Sequence, residues 1–258
     1  MDEQIQAQMQ RMQTLDAEER YGELLAYLQE LYAATEALPA PARTDYFMTL
    51  FQWKMLIEKY PPAAEALARA RDEQARRLLA GEYHVGSAPH DPMHFQRADR
   101  VALMVEMNRT LGDPGATRAV FLQLEAKDPA LARRDAYRML EAIVEAGDFA
   151  LGERYRGDPL ALLRDVNVNA QSMPLFPPGR QAPRLAAELS NLTKDVRIAI
   201  AVLCGLQRET EAHALRRALL DGLANDELRA MAERELDAPG TIYGIHAKRQ
   251  AALDEASG

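Results

Sequence analysis

Apolar positions along this chain recur at intervals of three and four, the spacing of one face of an α-helix, and no window alternates at a period of two between turn residues. Ile5, Met9 and Met12 form one apolar stripe on a Gln-rich opening segment. A second helix is expected to open at Asp16, with Glu19 three positions later completing a capping box and Leu24, Leu25, Leu28 and Leu31 on its buried face. Pro39 and Pro41 end it. The third, from about Arg43 to Tyr60, is apolar almost all the way round: only Thr49, Gln52, Lys54, Glu58 and Lys59 interrupt a run that includes Tyr46, Phe47, Phe51, Trp53 and Tyr60. Such a helix is either central or keeps part of its surface for another molecule.

Pro61-Pro62 breaks the chain, and Ala63 to Ala80 follows as an Arg-rich helix whose alternating charges predict a solvated side. Two Gly-Asp pairs, Gly112-Asp113 and Gly147-Asp148, then punctuate the sequence thirty-five residues apart. Asp113 and Pro114 have the chemistry of a helix start, and Pro129 opens the next segment. Regularity fades after Gly147. A Pro-rich stretch, residues 167 to 182, carries Met173, Leu175 and Phe176, either as a lid on the core or as an exposed apolar loop. The longest helix, Pro183 to about Arg208, has a centre (IAIAVLCGL) apolar on all sides, which predicts burial throughout. Two shorter helices and a tail complete the pattern. The fold class expected is all-α: an irregular array of antiparallel helical hairpins, about ten to twelve helices, in one domain of 258 residues with a subdivision into 1–166 and 183–258 around the Pro-rich stretch.

A chain of this length buries roughly 70 to 75 per cent of its unfolded surface, so it folds without disulfides or a structural metal. Its single cysteine, Cys204, cannot form an internal disulfide, and its place among Val202, Leu203 and Leu206 predicts a small buried hydrophobe rather than a nucleophile. The longest apolar run, Ile198 to Leu206, is half the length of a membrane span, and the opening residues are acidic where a secretory signal is basic. A cytoplasmic protein with no membrane partner is expected. The net charge of −8 argues against nucleic acid, which is held by clustered Lys and Arg. Eight acids against Arg11 and Arg20 in residues 1 to 37 instead favour a basic protein partner.

The stretch from about Ala98 to Pro129 resembles a repeat of the tetratricopeptide-like superfamily of helical hairpins: an apolar-periodic helix, Gly112 at the turn, Phe121 inside the second helix and Pro129 before the next. Val105 and Thr117 stand where such repeats carry small residues. The following stretch has Gly147 and a small Gly152 but loses its second helix at Pro159. The resemblance covers about a quarter of the chain. It implies an α-solenoid-like scaffold that holds peptides or proteins in a concave groove, without catalysis.

His84, His90, Asp91 and His94 are the candidate metal ligands, since imidazoles and a carboxylate on one loop can converge on a divalent ion, though their spacing matches no strong motif. No phosphate-cradling glycine loop occurs, and no cofactor is implied. The reading that follows is a non-enzymatic protein-binding module, an adaptor or an inhibitor of the immunity or antitoxin kind. Its candidate contact residues are Tyr46, Phe47, Phe51, Trp53, Tyr60, Met173, Leu175 and Phe176, and its opening helix offers a route to a homo-oligomer. The alternative is a metal-dependent hydrolase or small-molecule binder with the histidine loop 84–94 as its mouth.

Overall fold

A computed structural model describes residues 3–89 and 96–255, and among them the protein is all-α, with thirteen α-helices, one 3-10 turn and no strand. None of these helices is long and apolar enough to cross a membrane. The chain divides into two compact units, Met1–Ala142 and Ile143–Gly258. The division lies upstream of residues 167–182, within the helix Pro129–Glu145.

The N-terminal unit contains α1 (Glu3–Ala17), α2 (Tyr21–Glu36), a 3-10 turn (Arg43–Tyr46), α3 (Phe47–Ile57), α4 (Pro62–Leu79), α5 (Arg100–Leu111), α6 (Pro114–Lys127) and most of α7 (Pro129–Glu145). Asp16 does not start α2, as the capping-box spacing suggested; α1 runs on through it. The chain then turns at Glu19, which adopts a left-handed backbone (φ 55°) while the Arg20 amide donates back to the Leu15 carbonyl at 2.9 Å. A closed α1 C-terminus was therefore favoured over a side-chain cap for α2. The Gly112 turn behaves as its chemistry demands. Its left-handed φ of 65° costs a residue without Cβ nothing, and the Asp113 carboxylate accepts from the Ala116 amide at 3.0 Å to start α6.

Leu24, Leu28, Trp53, Leu56, Leu67, Leu103 and Met107 make the core of this unit. Trp53 donates its indole N–H to the Ala63 carbonyl at 2.9 Å, and Tyr32 stands edge-on to both Tyr46 and Trp53. Polar side chains are buried here too. Arg100, 1% exposed, donates to the Gln74 side-chain oxygen, and Gln74 in turn donates to the Tyr32 hydroxyl and the Glu36 carboxylate, both at 2.6 Å. That network joins α2, α4 and α5. Arg71 donates to Asn108, whose amide donates to the Thr117 hydroxyl at 2.9 Å, joining α4, α5 and α6. The alternating charges of α4 thus do not all lie on a solvated side: Arg71 and Gln74 point inward because α5 packs along the helix and supplies partners. Arg97 fastens the loop that precedes it by donating to the carbonyls of Val85, Gly86, Ala88 and Pro89.

The C-terminal unit is organised around α10 (Arg184–Gly205), which packs against α8 (Phe149–Tyr155), α9 (Leu163–Asn169), α11 (Glu209–Gly222), α12 (Asp226–Asp237) and α13 (Thr241–Glu255). Leu185, Leu189, Leu192, Val196 and Leu219 fill its core. A Cβ on Gly205 would come within 2.2 Å of the Phe149 ring, so α8 lies directly on the backbone of α10 there. The α10 centre is not buried on all sides. Cys204 is exposed, because the neighbouring helices leave one arc of the last turn uncovered. The buried Glu235 carboxylate accepts from the amides of Gly240 and Ile242, both at 2.8 Å, and so starts α13 from the end of α12.

Candidate protein-binding face

The aromatic helix sorts its residues by arc. α3 packs against α2 and α4, and the face turned to them carries Trp53 and Leu56, with Tyr46 entering the core from the preceding 3-10 turn. Tyr46 and Trp53 are each 1% exposed, which removes both from the contact surface expected for them. Burial, reinforced by the nearby Glu36 carboxylate, pushes the Tyr46 hydroxyl above the usual tyrosine range, with Arg100 opposing. Tyr60 is half-buried against Tyr21. The opposite arc has no covering element. Phe47 is 64% exposed, Phe51 49% and Met55 38%, at i, i+4 and i+8, and the two phenyl rings stack with centroids 6.1 Å apart. Lys54 and Glu58 complete the exposed side.

Beside this stripe, a groove of about 330 Å³ runs between α1 and the start of α3. Its apolar lining is Ile5, Met9, Met12, Leu31, Ala34, Leu38 and Met48, and Asp45 is its one charged member. The walls are tied at one end, where the Lys59 ammonium donates to both Asp16 carboxylate oxygens at 2.7 Å. Three methionines give such a groove an adaptable surface that can repack around a guest side chain. Met48, Met55 and Leu38 were not singled out from the sequence. The fourfold spacing of Phe47, Phe51 and Met55 was the available signal, masked by the apolar residues between them.

The Pro-rich stretch behaves differently from α3. Leu175 is 2% exposed, and Met173 and Phe176 are half-buried against the α10 core, with the Arg249 guanidinium 5.5 Å from the Phe176 ring centroid. These three residues plug the C-terminal unit and leave the expected contact surface. A second groove in that unit, about 280 Å³, is lined by Leu162, Val168, Asp165 and Glu188 among others, and the Asn169 amide donates to Glu188 at 2.7 Å.

Of the candidate metal ligands, His84 lies edge-on to Tyr83 with ring centroids 4.7 Å apart, in an extended segment bridged to Asp99. His90, Asp91 and His94 lie outside the described residues. Among the described residues no three His, Cys, Asp or Glu side chains converge as a metal site would require. Comparison of the chain with protein-family models, with curated proteins and with solved structures found no match.

Proposed function

We propose that the protein is a non-enzymatic protein-binding module, an adaptor or inhibitor of tetratricopeptide-like build, whose α1–α3 groove takes an apolar helical segment of a partner. The observation that carries this reading is the groove itself: seven apolar side chains, three of them methionine, line an open cleft beside Phe47 and Phe51, with Met12 buried at its floor. A helix laid in a groove is anchored by apolar side chains three and four positions apart, which a cleft of this size accommodates. Asp45, the only charge in the lining, and the acid-rich opening residues favour a basic residue on the guest. The hairpin of α5 and α6, with Gly112, the fully buried Phe121 and Pro129 at their places, supports the tetratricopeptide-like assignment.

A photo-crosslinking amino acid at Met48 tests the proposal in cells. It is expected to capture one dominant protein that the same residue placed at the exposed Glu233 does not capture. With that protein purified, Met48→Glu is expected to weaken binding by more than about tenfold, because it puts a carboxylate into a desolvated contact. Equal labelling from both positions would end the groove assignment.

A further inference from the structure

The groove between α1 and α3 gathers a side chain whose chemistry can be changed after synthesis. Among the described residues, Met12, Met104, Met107, Met139 and Met231 are buried. Met9, Met48 and Met55 reach solvent, the first two in the groove lining and the third, 38% exposed, on the outer arc of α3. The one other described methionine, Met173, is half-buried against the core of the C-terminal unit. Solvent-reachable thioethers are therefore concentrated on the face proposed to hold a partner.

That placement follows from helix geometry. Met9 stands four positions after Ile5 and three before Met12 on α1, so all three share one stripe; Met12 enters the core at 3% exposure, and Met9 stays at the groove. Met48 sits between the inward arc of α3, with Thr49 and Trp53, and the exposed arc of Phe47 and Phe51. A peroxide can reach such sulfurs. One oxygen passes to the thioether as the O–O bond breaks, the sulfur is oxidised by two electrons, and the other oxygen leaves as water. The sulfoxide is polar and needs a hydrogen-bond donor, which a helical guest does not supply, because its apolar side chains face the groove and its backbone N–H groups are bonded within the helix. Where a reductase can reach the sulfoxide, the change is undone: two thiols are oxidised to a disulfide and the oxygen departs as water.

Granting the groove its partner-binding role, we infer that Met9 and Met48, with Met55 beside them, form a reversible oxidation site through which a peroxide closes the groove to its partner. Met12 and Met107 set the limit of that response. Both lie in the core of the same unit, so their sulfurs become accessible only when the unit opens, and a mild dose of peroxide separates loss of binding from loss of fold. The exposed Cys204 thiol is also oxidisable, and it belongs to the C-terminal unit.

The test uses the full chain carrying Cys204→Ser, hydrogen peroxide, and as probe an amphipathic helical peptide of leucine and lysine with its leucines three and four positions apart. Peptide mass spectrometry is expected to find sulfoxide at Met9, Met48 and Met55 before Met104, Met107 or Met139, with Trp53 fluorescence reporting an intact fold. Binding of the probe, followed by titration calorimetry, is expected to weaken by more than about tenfold and to return after treatment with methionine sulfoxide reductase. With Met9→Leu, Met48→Leu and Met55→Leu combined, the affinities before and after peroxide are expected to agree, whatever their starting value. Sulfoxide forming first at the buried methionines, or probe binding unchanged once Met9 and Met48 are oxidised, overturns the inference and leaves the groove reading standing. So does a loss of binding that the leucine variant shares. An untreated protein that does not take up the probe overturns the groove reading itself, and the inference falls with it.

Discussion

Residues Met1–Ala142 bury Arg71, Gln74, Arg97, Asp99, Arg100, Asn108 and Asp135 while leaving Phe47, Phe51 and Met55 in solvent. From Ile143 onward, the buried polar side chains among the described residues are Thr193 and Glu235, and the large apolar ones left exposed are Val168 and Tyr243. The second pattern is what burial energetics alone select. The first runs against them at both ends, with polar groups desolvated inside and rings hydrated outside. Buried ionic networks add little net stability over apolar packing of the same shape, but their directional bonds admit few alternative arrangements. In the N-terminal unit that rigidity fixes α2, α4 and α5, on which α3 is mounted. The contrast therefore separates a unit with a polar interior and an exposed apolar helix face from one with a mainly apolar interior.

Arg100 is the side chain on which the polar interior of the N-terminal unit depends most. Its donors reach Gln74, Glu36 and Glu82 on three different segments, and removing it leaves the fully buried Gln74 side-chain oxygen and the partly buried Glu36 carboxylate short of a donor. Arg100→Ala is expected to cost about 3–5 kcal/mol, read as an earlier chemical-unfolding midpoint in Trp53 fluorescence, the tryptophan being confined to this unit. Arg100→Lys should recover little, since an ammonium lacks the fork that spans these partners. A near-neutral Arg100→Ala would mean the network is ornamental and the two units do not differ in kind.

The corresponding weak point of the C-terminal unit is steric. Gly205→Ala puts a methyl group into the Phe149 ring, and because ring and helix backbone must separate, about 1–3 kcal/mol is expected to be lost. Circular dichroism should register the change and Trp53 fluorescence should not. Phe149→Leu in the same chain is expected to restore part of the loss by freeing the space the ring occupied.

Much of the helical architecture was legible because its determinants are local. Gly112, Asp113 with Pro114, and Pro129 mark their boundaries by backbone conformation and capping chemistry that neighbours do not alter. What was not legible depended on which arc of a helix another element covers. Tyr46, Phe47, Phe51 and Trp53 are all large aromatics, and hydrophobicity would bury the two phenylalanines first; the placement of α2 and α4 instead makes Tyr46 and Trp53 core and leaves Phe47 and Phe51 on the surface. The alternating charges around Arg71 predict a solvated side for the same reason, since charge alternation says nothing about a partner supplied from 37 residues away. Cys204 was expected to be buried and lies exposed, because the helix centre leaves an arc open; of the two environments open to Leu175, the structure takes the lid on the core.

A smaller effect sharpens the contrast through pH. Glu153 accepts from Arg156 and Arg208, and these guanidinium contacts hold its carboxyl down at about 2, against an ordinary 4.5. A carboxylate depressed in the folded state adds stability that is fully present above its unfolded value and is shed as pH falls from about 4.5 toward about 2. Solvent reaches this cluster, so Glu153→Gln is expected to cost no more than about 1 kcal/mol at neutral pH, converging with the wild type near pH 2. In the N-terminal unit the shifts run at the other end of the scale. Tyr32, Tyr46 and Tyr83 are all raised, chiefly by burial, so that unit should weaken above the ordinary tyrosine value of 10.

The smallest expected effect falls on the most conspicuous residue. Phe51→Ser removes a ring that is half hydrated in the monomer, so little burial is lost on folding, and the change in stability should stay within about 0.5 kcal/mol. A core phenylalanine behaves otherwise: Phe121→Ser, at a fully buried site, should cost about 3–5 kcal/mol. If Phe51 were instead packed in the folded monomer, its substitution would approach the cost at Phe121, and the outer arc of α3 would belong to the core. Near-neutral stability leaves the exposed ring without a folding role, as a residue available to contact another molecule requires.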